Sequence, residues 1–174
     1  MNNGHAGNAD WVRGILLEYE GDLTRYAQRI TGDEERARDV VQETFLRLCR
    51  EDRSKLDGHL VEWLYTVCRN KALDVRRKEQ RMTTLTDEAF TLTESPEPTP
   101  ALQVEQRDSA GQVFEMLDRL PPKQQETIRL KFQSGLSYRE ISEVTGLTVS
   151  HVGVLIHTGL KTLRARLIKE TCHD

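Results

Sequence analysis

Cysteine and long apolar runs are scarce in this chain of 174 residues, and each shortage closes off a class of protein. The three cysteines, Cys49, Cys68 and Cys172, cannot all pair with one another, and no two stand at C-x-x-C spacing. Neither a disulfide scaffold nor a cysteine metal site is therefore expected, and a reducing, cytoplasmic setting follows. No uninterrupted aliphatic run exceeds three residues, as at Ile15-Leu16-Leu17. The first ten residues lack the basic and apolar start of a secretory signal, so no direct membrane insertion is expected. The five histidines, His5, His59, His151, His157 and His173, fall in no H-E-x-x-H or Cys/His ligand pattern. Glycine-rich phosphate loops and the G-x-S-x-G elbow are missing as well. No catalysis, no metal and no cofactor is expected.

The chain nevertheless carries enough apolar residues to fold. Leu, Ile, Val and Phe together make up about a quarter of it, above the level of disordered chains. The formal charge of −3 conceals a division: residues 1–60 sum to −3, 61–81 to +3, 82–111 to −5 and 112–174 to +2. Cations gathered into two segments are compatible with a polyanionic partner despite the acidic total.

Helical spacing dominates the pattern. Residues 1–10 read as a loose tail. Apolar residues from Val12 to Ile30 recur every three or four positions, with Gly21 as an expected break between two short helices. Gly32-Asp33 reads as a stop followed by an N-cap. The next helix, over 33–53, has Ala37, Val40, Val41, Thr44, Phe45 and Leu48 on one face. After the turn at Asp57-Gly58, a long amphipathic helix is predicted from Leu60 to Arg81. Residues 82–111, rich in Thr and acids and holding Pro96, Pro98 and Pro100, read as a flexible acidic linker. Beyond it, Pro122 suits the first position of a helix and Gly135 its stop. Ser137-Tyr138-Arg139-Glu140 is a capping box. A short helix to Val144, a turn over Thr145-Gly146-Leu147-Thr148 and a helix from Val149 to about Lys169 complete the chain. The fold class expected is all-α, with small helical domains over 10–81 and 112–169 joined by the linker.

Three constellations carry chemistry. The last two helices have the form of a helix-turn-helix. Val149, Val152, Ile156, Leu160, Leu163 and Leu167 are expected on the buried side of its second helix. Ser150, His151, Val154, His157, Thr158 and Lys161 then face outward, where they could meet base edges or phosphates. Lys161, Arg164, Arg166 and Lys169 form a basic stripe that either follows a phosphate backbone or is merely solvated. The helix 60–81 mixes Trp63, Tyr65, Arg69, Asn70, Arg76 and Arg77 off its apolar face. Rings, amides and cations together suit single-stranded nucleic acid, though Trp63 and Tyr65 fit a core equally well. On the helix 33–53, Asp39, Gln42 and Glu43 share one side, which is either a solvated face or a docking surface for a basic partner.

Two stretches in this order resemble the bacterial sigma-70 family, in its small extracytoplasmic-function class. The first is Asp39-Val40-Val41-Gln42-Glu43-Thr44-Phe45-Leu46, continued by Trp63-Leu64-Tyr65-Thr66-Val67-Cys68-Arg69-Asn70-Lys71-Ala72-Leu73-Asp74-Val75-Arg76-Arg77. The second runs from Leu117-Asp118-Arg119-Leu120-Pro121-Pro122 through Gly135-Leu136-Ser137-Tyr138-Arg139-Glu140-Ile141 into the helix-turn-helix. The resemblance implies a sigma region 2 bundle and a sigma region 4 helix-turn-helix, in a non-enzymatic subunit that brings core RNA polymerase to promoters. It implies that Asp39, Gln42 and Glu43 dock on the β′ clamp helices. Trp63, Tyr65, Arg69, Asn70, Lys71, Asp74, Arg76 and Arg77 would meet the −10 element. Ser150, His151, Val154, His157, Thr158 and Lys161 would meet the −35 element, with the β flap and an anti-sigma factor as further partners. One departure stands out: Gly153, Leu155 and Thr158 occupy positions where the family often has Arg or Lys. From the residues alone, an autonomous helix-turn-helix regulator and a helical adaptor that binds only protein remain the competing readings.

Overall fold

A computed structural model describes residues 3–87 and 109–171. Among them the chain forms helices and no strand: α1 (Asn3–Thr31), α2 (Glu34–Leu48), α3 (Arg53–Leu56), α4 (Leu60–Asp87), α5 (Ser109–Asp118), α6 (Pro122–Phe132), α7 (Tyr138–Thr145) and α8 (Val149–Thr171). The chain divides into two compact units, one built on α1–α4 and the other on α5, α6, α8 and most of α7.

In the first unit, α1 is one continuous helix, where a loose start and a break at Gly21 were expected. A glycine inside a helix costs roughly 1 kcal/mol against alanine. That is less than the burial it would forfeit, since Val12 and Ile15 before it and Leu23, Tyr26 and Ala27 after it lie on one buried face. Each large apolar side chain so buried is worth about 1.5–3 kcal/mol. The first turns extend this nucleated helix, and extension is cheap once nucleation is done. The helix stops at Gly32, whose φ of +74° only glycine adopts freely. Asp33 then caps α2, its Oδ1 accepting from the Arg36 amide at 2.9 Å.

The core face of α2 is the one read from the sequence: Ala37, Val40, Val41, Thr44, Phe45 and Leu48 are buried. It ends at Leu48 instead of near Asp52, because Asp52 caps a separate turn, α3, accepting from the Ser54 amide at 3.0 Å and its hydroxyl at 2.8 Å. Helix α4 packs on α1 and α2 through Leu64, Tyr65, Cys68 and Ala72. The Tyr26 and Tyr65 rings meet edge to face with centroids 5.1 Å apart. An Arg36–Glu79 ion pair joins α2 to α4 farther along. Instead of stopping at Arg81, α4 continues to Asp87, so the first six residues assigned to the linker are helical. No Gly or Pro lies between Arg81 and Asp87 to interrupt the backbone ladder. Of the rest of the expected linker, 88–108 lies outside the described residues, and 109–111 form the first turn of α5 and so are helical as well.

In the second unit, Met116, Leu117 and Leu120 anchor α5 and the turn after it. Side chains from α6 and α8 converge on that turn. Gln125 Nε2 donates to Asp118 O at 2.8 Å and Leu120 O at 2.6 Å. Arg166 Nη1 donates to Met116 O at 3.4 Å. Arg129, 4 % exposed, pairs with the Asp118 carboxylate at 2.6 Å. Its Nε and Nη1 are buried and have no partner among the described residues. Pro122 opens α6, and Gly135, at φ +70°, turns the chain so that the Leu136 amide returns to Leu130 O at 3.1 Å. Helix α7 has its capping box: the Ser137 amide donates to Glu140 Oε2 at 2.7 Å and the Glu140 amide to Ser137 Oγ at 3.2 Å. Gly146, at φ +71°, closes α7.

Helix α8 buries Val152, Ile156 and Leu163. At Gly159 it crosses α6 so closely that a Cβ would lie 2.6 Å from Ile128 Cδ1. Val149 and Leu160, expected on this face, are instead 47 % and 40 % exposed. The close approach at Gly159 narrows the contact to a stripe that excludes both.

Candidate nucleic-acid and protein interfaces

Helices α7 and α8, joined by Gly146-Leu147-Thr148, make a helix-turn-helix whose second helix is set by its own cap: the His151 amide donates to Thr148 Oγ1 at 3.2 Å. Ser150, His151, Val154, His157, Thr158 and Lys161 are all exposed, Val154 to 60 %. Ser150, Val154, His157 and Lys161 fall on one line at spacings of four, three and four, with His151 and Thr158 flanking it. The Tyr138 ring lies beside Gly153, and Lys131 Nζ stands 5.5 Å from the centre of that ring. The basic stripe is thinner than its sequence. Arg164 is exposed, whereas Arg166 is half-buried and spends a guanidinium nitrogen on Met116 O. The side chain of Lys169 lies outside the described residues.

On α4 the structure separates the expected group. Asn70, Lys71, Asp74, Arg76 and Arg77 are exposed, and Trp63 and Arg69 are half-buried. Asp74 pairs with Arg77 at 3.5 Å, one turn apart at the surface. Tyr65 is a correction: at 2 % exposure its ring belongs to the core against Tyr26 and offers no surface to a base. It lies at the edge of the sector defined by Leu64, Cys68 and Ala72, so grouping it with Arg69 and Arg76 off the apolar face misassigns it. Cys68 is sealed in the same core, and burial pushes its thiol up to about 12.

On α2, Asp39, Gln42 and Glu43 are exposed on the side away from Val40, Val41 and Phe45. Leu46, 49 % exposed, extends that row by one turn as an apolar end, a feature legible in the 39, 42, 43, 46 spacing but not singled out as a site residue. A second missed feature is an open cavity of about 480 Å³ between the start of α1 and the α3 turn, lined by Trp11, Arg53, Ser54, Leu56, Asp57, Gly58 and Leu60. The Arg53 guanidinium sits 5.4 Å from the centre of the Trp11 ring. Only the assembled turn creates this cavity, and no spacing rule marks it. Among the described residues no cluster of His, Cys, Asp and Glu suits a metal ion, and no helix is long and apolar enough to cross a membrane.

Comparison with known proteins bears on both units. Residues 15–82 match the family model for sigma-70 region 2, and residues 110–163 match that for sigma-70 region 4. The chain is 30 % identical over 168 residues to the ECF RNA polymerase sigma factor EcfG of Rhodopseudomonas palustris, covering 95 % of this chain and 90 % of that protein. It is 31 % identical over 159 residues to SigE of Mycolicibacterium smegmatis, covering 90 % of this chain but 62 % of that longer protein. Among solved structures, the fold is similar to the sigma factor RpoE of Bartonella quintana, solved with the anti-sigma factor NepR. That similarity has a TM-score of 0.64 at 23 % identity, over 89 % of this chain and 95 % of that one. CnrH, solved with the cytosolic domain of CnrY, is similar with a TM-score of 0.58 at 23 % identity, over 95 % and 92 %. With both region models in their order along the chain and an identity of 30 % spanning nearly all of it, the protein belongs to the extracytoplasmic-function class of the sigma-70 family, promoter-specific transcription initiation factors.

Proposed function

We propose that the exposed α2 row docks this chain on core RNA polymerase, that α4 holds the single strand of the −10 element, and that α8 meets the −35 duplex. The observation that carries this reading is the division of chemistry within the first unit. The α2 row is acidic with an apolar end, whereas α4 presents Asn70, Lys71, Arg76 and Arg77. Carboxylates at Asp39 and Glu43 would repel a nucleic acid and suit a partner that supplies Arg or Lys, and Leu46 gives that contact an apolar end. The β′ clamp helices are the partner that family membership supplies, with the β flap as a second contact.

On α4 the chemistry is the reverse. Cations hold a backbone while amides and the half-buried Trp63 meet unpaired bases. The cavity beside Trp11 holds an aromatic face, a guanidinium, a hydroxyl and a carboxylate, groups able to receive a base turned out of the stack. Stacking capture of this kind is worth about 1–3 kcal/mol per base, enough to bias strand opening without catalysis. Two modest DNA contacts on separate units become one strong contact once polymerase fixes their span. An anti-sigma protein is the expected inhibitor, as structural relatives are solved in complexes with partners of that kind. The working compartment is the cytoplasm, where polymerase and DNA are found.

The test is in vitro transcription with purified core polymerase and the Asp39→Ala/Glu43→Ala variant. Both side chains are exposed, so folding should survive while co-purification with core and promoter-dependent transcript fall at least tenfold. Full activity in that variant overturns the docking assignment. Tight binding of a specific duplex without polymerase would favour an autonomous regulator.

A further inference from the structure

The outward face of α8 is short of permanent positive charge. Residues 149–168 contain no Asp or Glu, yet of their cations only Lys161 and Arg164 are exposed, Arg166 being half-buried on Met116 O. The remaining nitrogen bases on that face are His151 in the first turn and His157 one turn before Lys161, both exposed. Neither imidazole makes a hydrogen bond or ion pair among the described residues. The carboxylates of the neighbouring elements are Glu115 and Asp118 on α5, Glu126 on α6, and Glu140 and Glu143 on α7. None pairs with either ring, while Asp118 is engaged by Arg129 and Glu140 by the capping box. Of the cations on those elements, Lys131 stands over Tyr138, and Arg139 is exposed at the start of α7.

We propose that His151 and His157 are conditional DNA contacts, which take up protons when α8 meets duplex phosphates, so that binding tightens as pH falls. Imidazole is the side chain whose ordinary change of charge falls between pH 5 and 8. Nearby phosphates favour its charged form and raise its pKa in the complex. A pKa raised by binding gives an affinity gain that is complete below the free-state value and lost as pH rises through the bound-state value. Each proton taken up changes affinity by at most about tenfold per pH unit. Each new phosphate contact also steepens the dependence of log K on log salt by about 0.9. Where the family often relies on Arg or Lys, this chain would borrow charge from its ligand.

The inference rests on the α8 duplex reading proposed above, and the experiment separates the two. A duplex is selected from a random-sequence library by the chain bound to core polymerase. Its affinity for that complex is then measured by fluorescence anisotropy from pH 6.0 to 8.0. Wild type should bind about tenfold more tightly at pH 6.0 than at 8.0. His151→Gln/His157→Gln should lose most of that difference, and His151→Lys/His157→Lys should bind tightly with little pH dependence. Comparing slopes between variants cancels titration of the polymerase. Equal slopes in wild type and the Gln variant, with Lys161→Ala still weakening binding, would overturn the inference and leave the α8 reading standing. If Ser150→Ala/Val154→Ala/Lys161→Ala also binds like wild type, both fail.

Discussion

Removing the Asp118 carboxylate is a sharp test of how the second unit is held together. Arg129 is 4 % exposed, and its Nη2 bond to Asp118 at 2.6 Å is the hydrogen bond its guanidinium makes among the described residues, where Nε and Nη1 have no partner. Asp118→Ala would leave a buried cation wholly uncompensated, a loss of about 3–5 kcal/mol for a fully buried pair. Asp118 is itself 58 % exposed, so water can replace part of its contribution, and about 2 kcal/mol is the expected loss. With a urea m-value of about 1 kcal/mol/M for a unit this small, the midpoint should fall by about 2 M. The two tryptophans, Trp11 and Trp63, both lie in the first unit, so fluorescence reads that unit while far-UV circular dichroism reads both. The expected signature is an earlier dichroism transition with an unmoved fluorescence transition. Asp118→Ala/Arg129→Leu should recover most of the loss, because an apolar side chain needs no partner there. A single variant within about 0.5 kcal/mol of wild type, or a double variant no better than the single, would refute the pairing argument.

Other consequences are as direct. Gly159→Ala places a Cβ 2.6 Å from Ile128 Cδ1, and the resulting strain of about 1–3 kcal/mol should outweigh the roughly 1 kcal/mol helix-propensity gain. A raised dichroism midpoint would show that α6 yields easily. In a Cys172→Ser background at pH 8, Cys49 should react with a thiol reagent while Cys68, its thiol pushed up to about 12 by burial, stays silent until unfolding; rapid double labelling would contradict its burial. Hydrogen bonds from the Ser137 hydroxyl and, second, its amide hold the Glu140 carboxyl below its ordinary range. The stability it contributes is present above the unfolded-state pKa and lost as pH falls through the folded-state value. Ser137→Ala should therefore cost about 0.5–2 kcal/mol at pH 7 and less at pH 3, as measured by urea unfolding.

What could be read from the sequence was whatever a local rule decides. Asp33, Pro122, Ser137 with Glu140, and Gly146 mark helix ends through groups a few residues apart, and the observed ends fall where these residues put them. Elements decided by packing were harder to read. Gly21 signals a break, but tertiary burial on both sides carries α1 through it. Asp52 could end one helix or begin another, and only the burial of Leu56 at 3 % exposure gives α3 its place. The side of α4 that holds Tyr65 depends on where Tyr26 stands, a residue 39 positions earlier in the chain. The same holds for the candidate interfaces. The outward residues of α8 and α2 followed from helical spacing, whereas the cavity beside Trp11 needs a turn that no periodicity encodes.

The six outward side chains of α8 make no hydrogen bond or ion pair among the described residues, while Val152, Ile156, Gly159 and Leu163 hold the helix in place from its other side. If α8 meets the −35 duplex as proposed, folding and address are thus written on opposite sides of one element. Gene duplicates could drift toward new promoters by exchanging surface letters, one at a time, with almost no toll on the scaffold beneath.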